Sequence, residues 1–291
     1  MNPASRRLSE AWRKHERRWR DHRFVYAVIS RRSGGVSVGL NLSPDNACNF
    51  NCVYCQVERE TARLSTGIDV DISRLAAELY NILRAEKDGS LYTDAPFDAL
   101  LPCERGLRDI AFSGNGEPTT CSHFEEAVRI AAEARRACGL YSSKLVLITN
   151  AGCLDNPGVC AALRTLDENN GEIWAKLDAG TEEYFRVVNR SAIQFSKIIA
   201  NIQSVARLRP LIIQSLWMRV NGEQPAEAEL AAWRGRLKDI LAGGGRLNAI
   251  HLNTIVRNPA ENHVAPLSRS ELERIANFAI SEIPVPVNIY E

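Results

Sequence analysis

At 291 residues, with 45% hydrophobic and 24% charged side chains, the chain is long enough for one large α/β barrel or two ordinary domains and has a globular composition. No apolar run approaches the ~20 residues of a membrane-spanning helix, and the Arg-rich N-terminus lacks the apolar core of a secretory signal, so a cytoplasmic protein without a membrane partner is expected. The net charge of +1 conceals a division: residues 1–35 hold ten Lys and Arg against three acids, and the remainder is acidic.

Residues 9–23 read as a basic amphipathic helix marked by Leu8, Trp12 and Trp19, so 1–35 is expected to be a basic helical N-terminal extension ahead of a domain spanning 36–291. Its arginines suit an anionic partner such as nucleic acid; the other reading docks the helix on the chain's own acidic remainder through Trp12, Trp19 and Phe24. Residues 24–29 form an extended run, Ser33-Gly34-Gly35 a turn, and 36–42 the first core strand. Residues 43–59 are too polar and irregular for a strand and read as a loop. Beyond it, Ile72, Leu75, Leu79, Ile82 and Leu83 recur at helical spacing. Strands at 107–112, 144–149, 173–177, 211–220 and 247–256 then alternate with helices at 124–138, 159–166, 195–208, 226–241 and 269–280. Such alternation implies an α/β fold of parallel strands joined by right-handed crossovers, with the chemistry at the C-terminal strand ends.

The loop after the first strand carries Cys48, Cys52 and Cys55, three thiols within eight residues at C-x₃-C-x₂-C spacing. Soft thiolates so close can hold an iron–sulfur cluster and leave one iron of a four-iron cubane open to a substrate. The other readings are a zinc site or three core cysteines, but zinc wants a fourth Cys or His, and none lies between Asn41 and Ala62. Cys103, Cys121, Cys138, Cys153 and Cys160 show no CxxC pairing and read as small buried residues; Cys121 and Cys153 each follow a motif at the expected rim.

The cysteine spacing, with Tyr54 just before the third thiol, resembles the signature of the radical S-adenosylmethionine (SAM) superfamily. The run from Ser30-Arg31-Arg32-Ser33-Gly34-Gly35 through Asn41-Leu42-Ser43-Pro44 looks like an uncharacterised bacterial group of iron–sulfur oxidoreductases distantly similar to the wybutosine-synthesis radical SAM enzymes, which act on tRNA. The resemblance implies a partial (β/α)₆ barrel, a [4Fe-4S] cluster on Cys48, Cys52 and Cys55, and SAM on the open iron. It further implies reductive cleavage of SAM to a 5′-deoxyadenosyl radical that abstracts hydrogen from a substrate. An external low-potential reductant such as flavodoxin or ferredoxin would supply the electron.

Carried onto this sequence, the family's Gly-Gly-Glu-Pro motif falls on Gly114, Asn115, Gly116 and Glu117, where Asn115 splits the glycines and leaves open which peptide groups meet the methionyl end. Thr149 and Asn150 are similar to the family's Thr-Asn-Gly, or else form an Asx turn that shapes the loop. Lys176 and Asp178 suit the SAM carboxylate and ribose, or form a salt bridge. Asn253 suits the adenosine, and His251 is expected on the other face of that strand. Arg219, Arg257 and the pair Asn189-Arg190 could meet an anionic substrate. The substrate class stays open between nucleic acid, a small molecule and a glycyl-radical protein. The alternative function is an iron–sulfur electron carrier or scaffold without SAM chemistry.

Overall fold

The structure, a computed structural model, describes residues 20, 22–57 and 69–291. The expected helix over 9–23 lies almost wholly outside the described residues. Among them, no helix is long and apolar enough to cross a membrane. The chain divides into two compact units. The first comprises residues 1–47, 65–147 and 157–172, and the second 48–64, 148–156 and 173–291.

In the first unit, β1 (Val25–Ser30) and β2 (Gly35–Leu40) form an antiparallel hairpin, turned at Gly34 with φ +69°. Every residue of β2 is buried. A Cβ on Gly39 would stand 2.1 Å from the Tyr26 ring, so only glycine fits opposite that tyrosine. β3 (Leu107–Phe112) lies parallel to β2, and β4 (Lys144–Thr149) parallel to β3. Helix α1 (Ile72–Asp88) is capped by Asp71, whose side chain accepts the Arg74 N–H, and stops at Gly89 with φ +84°. It buries Leu75, Leu79, Ile82 and Leu83, the positions whose spacing announced it. It also buries Glu78, whose carboxylate accepts the backbone N–H groups of Arg23, Phe24 and Val25 at 2.8–3.2 Å. Helices α2 (Phe124–Ala137) and α3 (Pro157–Asp167) complete this unit.

In the second unit, β5 (Gly171–Lys176), β6 (Leu211–Leu216), β8 (Leu247–Asn253) and β10 (Val287–Tyr290) pair in that order, all parallel. Helices α4 (Glu182–Val188), α5 (Phe195–Leu208), α6 (Glu227–Ala242) and α7 (Arg269–Ile280) belong with them. Ser215 of β6 accepts from the Trp233 indole of α6 at 3.1 Å, so it faces that helix, and Gln214 faces the opposite side of the sheet. Register then sets Lys176, Gln214, His251 and Asn288 side by side on that opposite face.

Three expectations need correction. The strand expected over 211–220 breaks at Trp217 into β6 and β7 (Met218–Val220), because β7 leaves the main sheet to pair with β9 (Val264–Pro266) as an antiparallel ribbon. The strand expected to reach 256 ends at Asn253. His251 and Asn253 lie two apart on one regular strand and so share a face rather than opposing each other. The His251 ring is held edge-on at 5.0 Å by both Trp174 and Tyr290.

Candidate active site

The cysteine loop belongs to the second unit and has no regular secondary structure among its described residues. Its order comes from the end of α4. The Asn51 N–H donates to the Asn189 carbonyl at 3.1 Å and the Val53 N–H to the Val188 carbonyl at 2.9 Å. Ser191 Oγ donates to the Asn49 carbonyl at 3.0 Å, and the Phe50 ring packs edge-on against Phe185 at 5.5 Å. Cys48 and Cys55 are half-buried, and Cys52 is buried.

Two sulfurs already face N–H donors: Phe50 N–H points at Cys48 Sγ at 3.5 Å, and Asn189 Nδ2 at Cys52 Sγ at 3.6 Å. Burial, reinforced by Asp178 and opposed by Lys176, pushes the Cys52 thiol up to about 12. A metal would therefore have to displace its proton. Among the described residues, no three His, Cys, Asp or Glu side chains converge as the ligands of a single ion do. Thiolates at separate corners of a cubane need no such convergence, and sulfur-directed N–H groups are the outer-shell partners that cluster thiolates use. The donor chemistry of the loop fits a cluster.

Beside the loop, Asp178 is 3% exposed and accepts four groups. These are the Tyr54 hydroxyl, Asn189 Nδ2 at 3.1 Å, the Leu216 N–H at 2.8 Å and Lys176 Nζ at 3.3 Å. Lys176 Nζ also stands 5.1 Å from the centre of the Tyr54 ring. Burial and Asp178 raise the Tyr54 phenol well above its ordinary value, so it remains a donor. Asn150 Nδ2 donates to Asn49 Oδ1 at 2.6 Å, while its Oδ1 accepts the Gly152 N–H at 2.9 Å in an Asx arrangement. Asn49 Nδ2 in turn reaches Cys153 Sγ at 3.9 Å. Asn253, at the end of β8, donates to the His251 carbonyl at 3.3 Å. Tyr54, Lys176 and Asp178 are thus in one network with Cys52, Asn150 is tied to the loop through Asn49, and Asn253 bonds within its own strand.

In the first unit, the turn after β3 is shaped by residues 41–47. Asn41 Oδ1 accepts the Asn115 N–H at 3.1 Å, and Asn115 Nδ2 donates to Asn46 Oδ1 at 2.6 Å. A Cβ on Gly114 would lie 2.3 Å from Asn41 Oδ1, and one on Gly116 would lie 1.9 Å from the Ala47 carbonyl. Both glycines are therefore demanded by close backbone approach. Glu117 is buried and accepts the Thr119 N–H and hydroxyl at 3.2 and 2.6 Å, capping the short turn Pro118–Thr120. Cys121 follows it, its thiol raised by burial.

Of the arginines singled out for an anionic substrate, Arg219 is engaged by Glu271 and Arg190 by Glu261 at 2.5 Å, whereas Arg257 donates at 2.9 Å to Gln56, the residue after Cys55. Asn189, expected beside Arg190 to meet an anionic substrate, instead turns its amide to Cys52, Tyr54 and Asp178, a role the sequence did not disclose. Its partner Cys52 lies 137 residues away, and the seven-residue helix that delivers it is too short for a periodic pattern.

No protein-family model matches the chain. Among curated proteins it is 20% identical over 267 residues to the GTPase Obg of Brachyspira hyodysenteriae, covering 90% of this chain and 34% of that protein, so it spans about a third of that relative's length. It is 25% identical over 256 residues to a UPF0026 protein of Helicobacter pylori, covering 87% of this chain and 73% of that one. A solved structure of TYW1 with a lysine–pyruvate adduct bound matches with a TM-score of 0.59 at 12% identity, over 94% of this chain and 89% of that one. A radical SAM methyltransferase from Sphaerobacter thermophilus matches with a TM-score of 0.61 at 12% identity, over 91% and 68%. Streptococcus suis SuiB bound to S-adenosylmethionine matches with a TM-score of 0.53 at 11% identity, over 84% and 45%. The chain has the α/β partial-barrel fold of radical SAM enzymes.

Proposed function

We propose that this protein is a radical SAM enzyme in which Cys48, Cys52 and Cys55 hold a [4Fe-4S] cluster. The observation that carries the reading is a three-thiol loop, with N–H donors on two of its sulfurs, within a fold of this type. When bound, the cluster and SAM supply a one-electron cleavage that yields methionine and a 5′-deoxyadenosyl radical. The chain's part is binding and orientation. Gly114, Asn115, Gly116 and Glu117 take the methionyl end, Lys176 and Asp178 the carboxylate and ribose, and Tyr54, Asn150 and Asn253 the nucleoside side. Four donors already occupy the Asp178 carboxylate, so it would meet the ribose by giving up one of them, and Lys176 Nζ at 3.3 Å is the longest of those contacts. An external low-potential carrier such as flavodoxin or ferredoxin delivers the electron, and the ten Lys and Arg of residues 1–35 suit a nucleic-acid substrate.

Anaerobically reconstituted protein given dithionite and SAM is expected to form 5′-deoxyadenosine, and Cys52→Ala to abolish it. Wild-type protein with a full cluster that neither binds SAM nor forms the product would instead be an electron carrier or scaffold.

A further inference from the structure

Asn189 is 1% exposed and sits at the C-terminal end of α4. Its carbonyl holds the Asn51 N–H, so its backbone belongs to the frame of the cysteine loop. Its amide Nδ2 reaches three groups: Cys52 Sγ at 3.6 Å, Tyr54 OH at 3.3 Å and Asp178 Oδ2 at 3.1 Å. Donation to the Asp178 carboxylate fixes which end of the amide faces the sulfur, because a carboxylate accepts and the amide oxygen cannot donate to it.

We infer that Asn189 is a positioning residue that tunes the reduction potential of the cluster through its N–H to Cys52 Sγ. The inference rests on the cluster reading above. Reduction adds one electron, and the negative charge spreads onto the cluster's sulfurs and its thiolate ligands. A side-chain N–H aimed at one of those sulfurs in a dry site stabilises the reduced form more than the oxidised form, which raises the potential. The need for such a donor is visible in its neighbours. The Asp178 carboxylate, bonded to the same amide that reaches Cys52, acts in the opposite sense, disfavouring added negative charge, and Lys176 and the Tyr54 hydroxyl, both on that carboxylate, counter it together with Asn189. Lys176 acts as a charge engaged with Asp178, whereas among the described side chains Asn189 has its N–H directly on the Cys52 sulfur.

The test is an EPR-monitored redox titration of the full-length protein, reconstituted anaerobically, with iron and sulfide content measured beforehand. Asn189→Leu keeps the branching of the side chain and removes the donor. At the wild-type midpoint its ratio of reduced to oxidised cluster is expected to fall about tenfold, which for a one-electron couple is 59 mV. Asn189→Gln, which retains an amide, is expected to fall between the two. An Asn189→Leu protein with wild-type iron content and an unchanged midpoint overturns the inference. Loss of iron uptake by both variants overturns it as well, since a residue that tunes the cluster leaves its assembly intact. Wild-type protein that takes up no [4Fe-4S] cluster refutes the function proposed above along with this inference, whereas a loaded wild type with an insensitive variant refutes this inference alone.

Discussion

The carboxylate of Asp178 accepts the backbone N–H of Leu216 at 2.8 Å, so a side chain joins the end of β5 to the end of β6. The same carboxylate holds Tyr54, Asn189 and Lys176, and its removal strands all of these donors in a buried place. Asp178→Ala is expected to lower unfolding stability by about 3 kcal/mol. Asp178→Asn, which keeps one acceptor oxygen, should lose roughly half as much. Urea denaturation of the two variants reads the difference, and equal losses would show that charge, rather than accepted hydrogen bonds, sets the effect.

The glycines make a pair of predictions with opposite signs. A Cβ on Gly116 would lie 1.9 Å from the Ala47 carbonyl, a backbone atom that cannot yield cheaply, so Gly116→Ala is expected to cost about 2–3 kcal/mol. Gly235 sits inside α6 with nothing within 4 Å of an added Cβ, so Gly235→Ala is expected to stabilise by about 1 kcal/mol. Thermal melts of the two variants should move in opposite directions from wild type.

Glu78 links stability to pH. Burial pushes its carboxyl up, but the N–H groups of Arg23, Phe24 and Val25 and the Arg74 guanidinium outweigh it and leave the carboxyl below the ordinary value of 4.5. The unfolded chain therefore takes up the proton more readily than the folded one. Its contribution is complete above pH 4.5 and is lost as the pH falls through the lower folded value. Glu78→Gln is expected to cost about 2 kcal/mol at pH 7 and to flatten the acid limb of the stability curve. A variant that keeps the wild-type acid limb would assign that limb to other carboxylates.

The proposed nucleic-acid partner has its own test. Deleting residues 1–19 removes six Lys and Arg while keeping the backbone N–H groups that Glu78 holds. Retention of tRNA on the immobilised protein is expected to fall, and its dependence on salt to flatten by roughly 0.7–0.9 log units for each phosphate that the shortened protein no longer neutralises. An unchanged salt slope would move the search to small-molecule and protein substrates.

What the sequence disclosed follows physical lines. The helices at 72–88 and 124–137 were legible because each commits an apolar stripe to the core at helical spacing. β2 was legible as a short apolar run before a polar loop. β10 and the ribbon of β7 and β9 were not, because segments of three or four residues carry too few alternations to register. α4 was missed for the same reason, with only Phe185 and Val188 buried along its seven residues. The cysteines announced themselves by local spacing, but the groups that meet them come from residues 176–191, a proximity that folding creates and no window of sequence contains. The Asn115 and Glu117 turn was visible, yet its attachment to Asn41 and Asn46 was not.

Residues 51 and 53 take their backbone partners from 189 and 188, so the three thiols are framed by a stretch synthesised more than a hundred positions later. A ribosome must therefore release that stretch before the loop can take this form, and a nascent chain halted ahead of α4 would present three unframed sulfhydryls. The frame of the cysteine loop is consequently complete only once α4 has been made, long after the cysteines themselves have emerged.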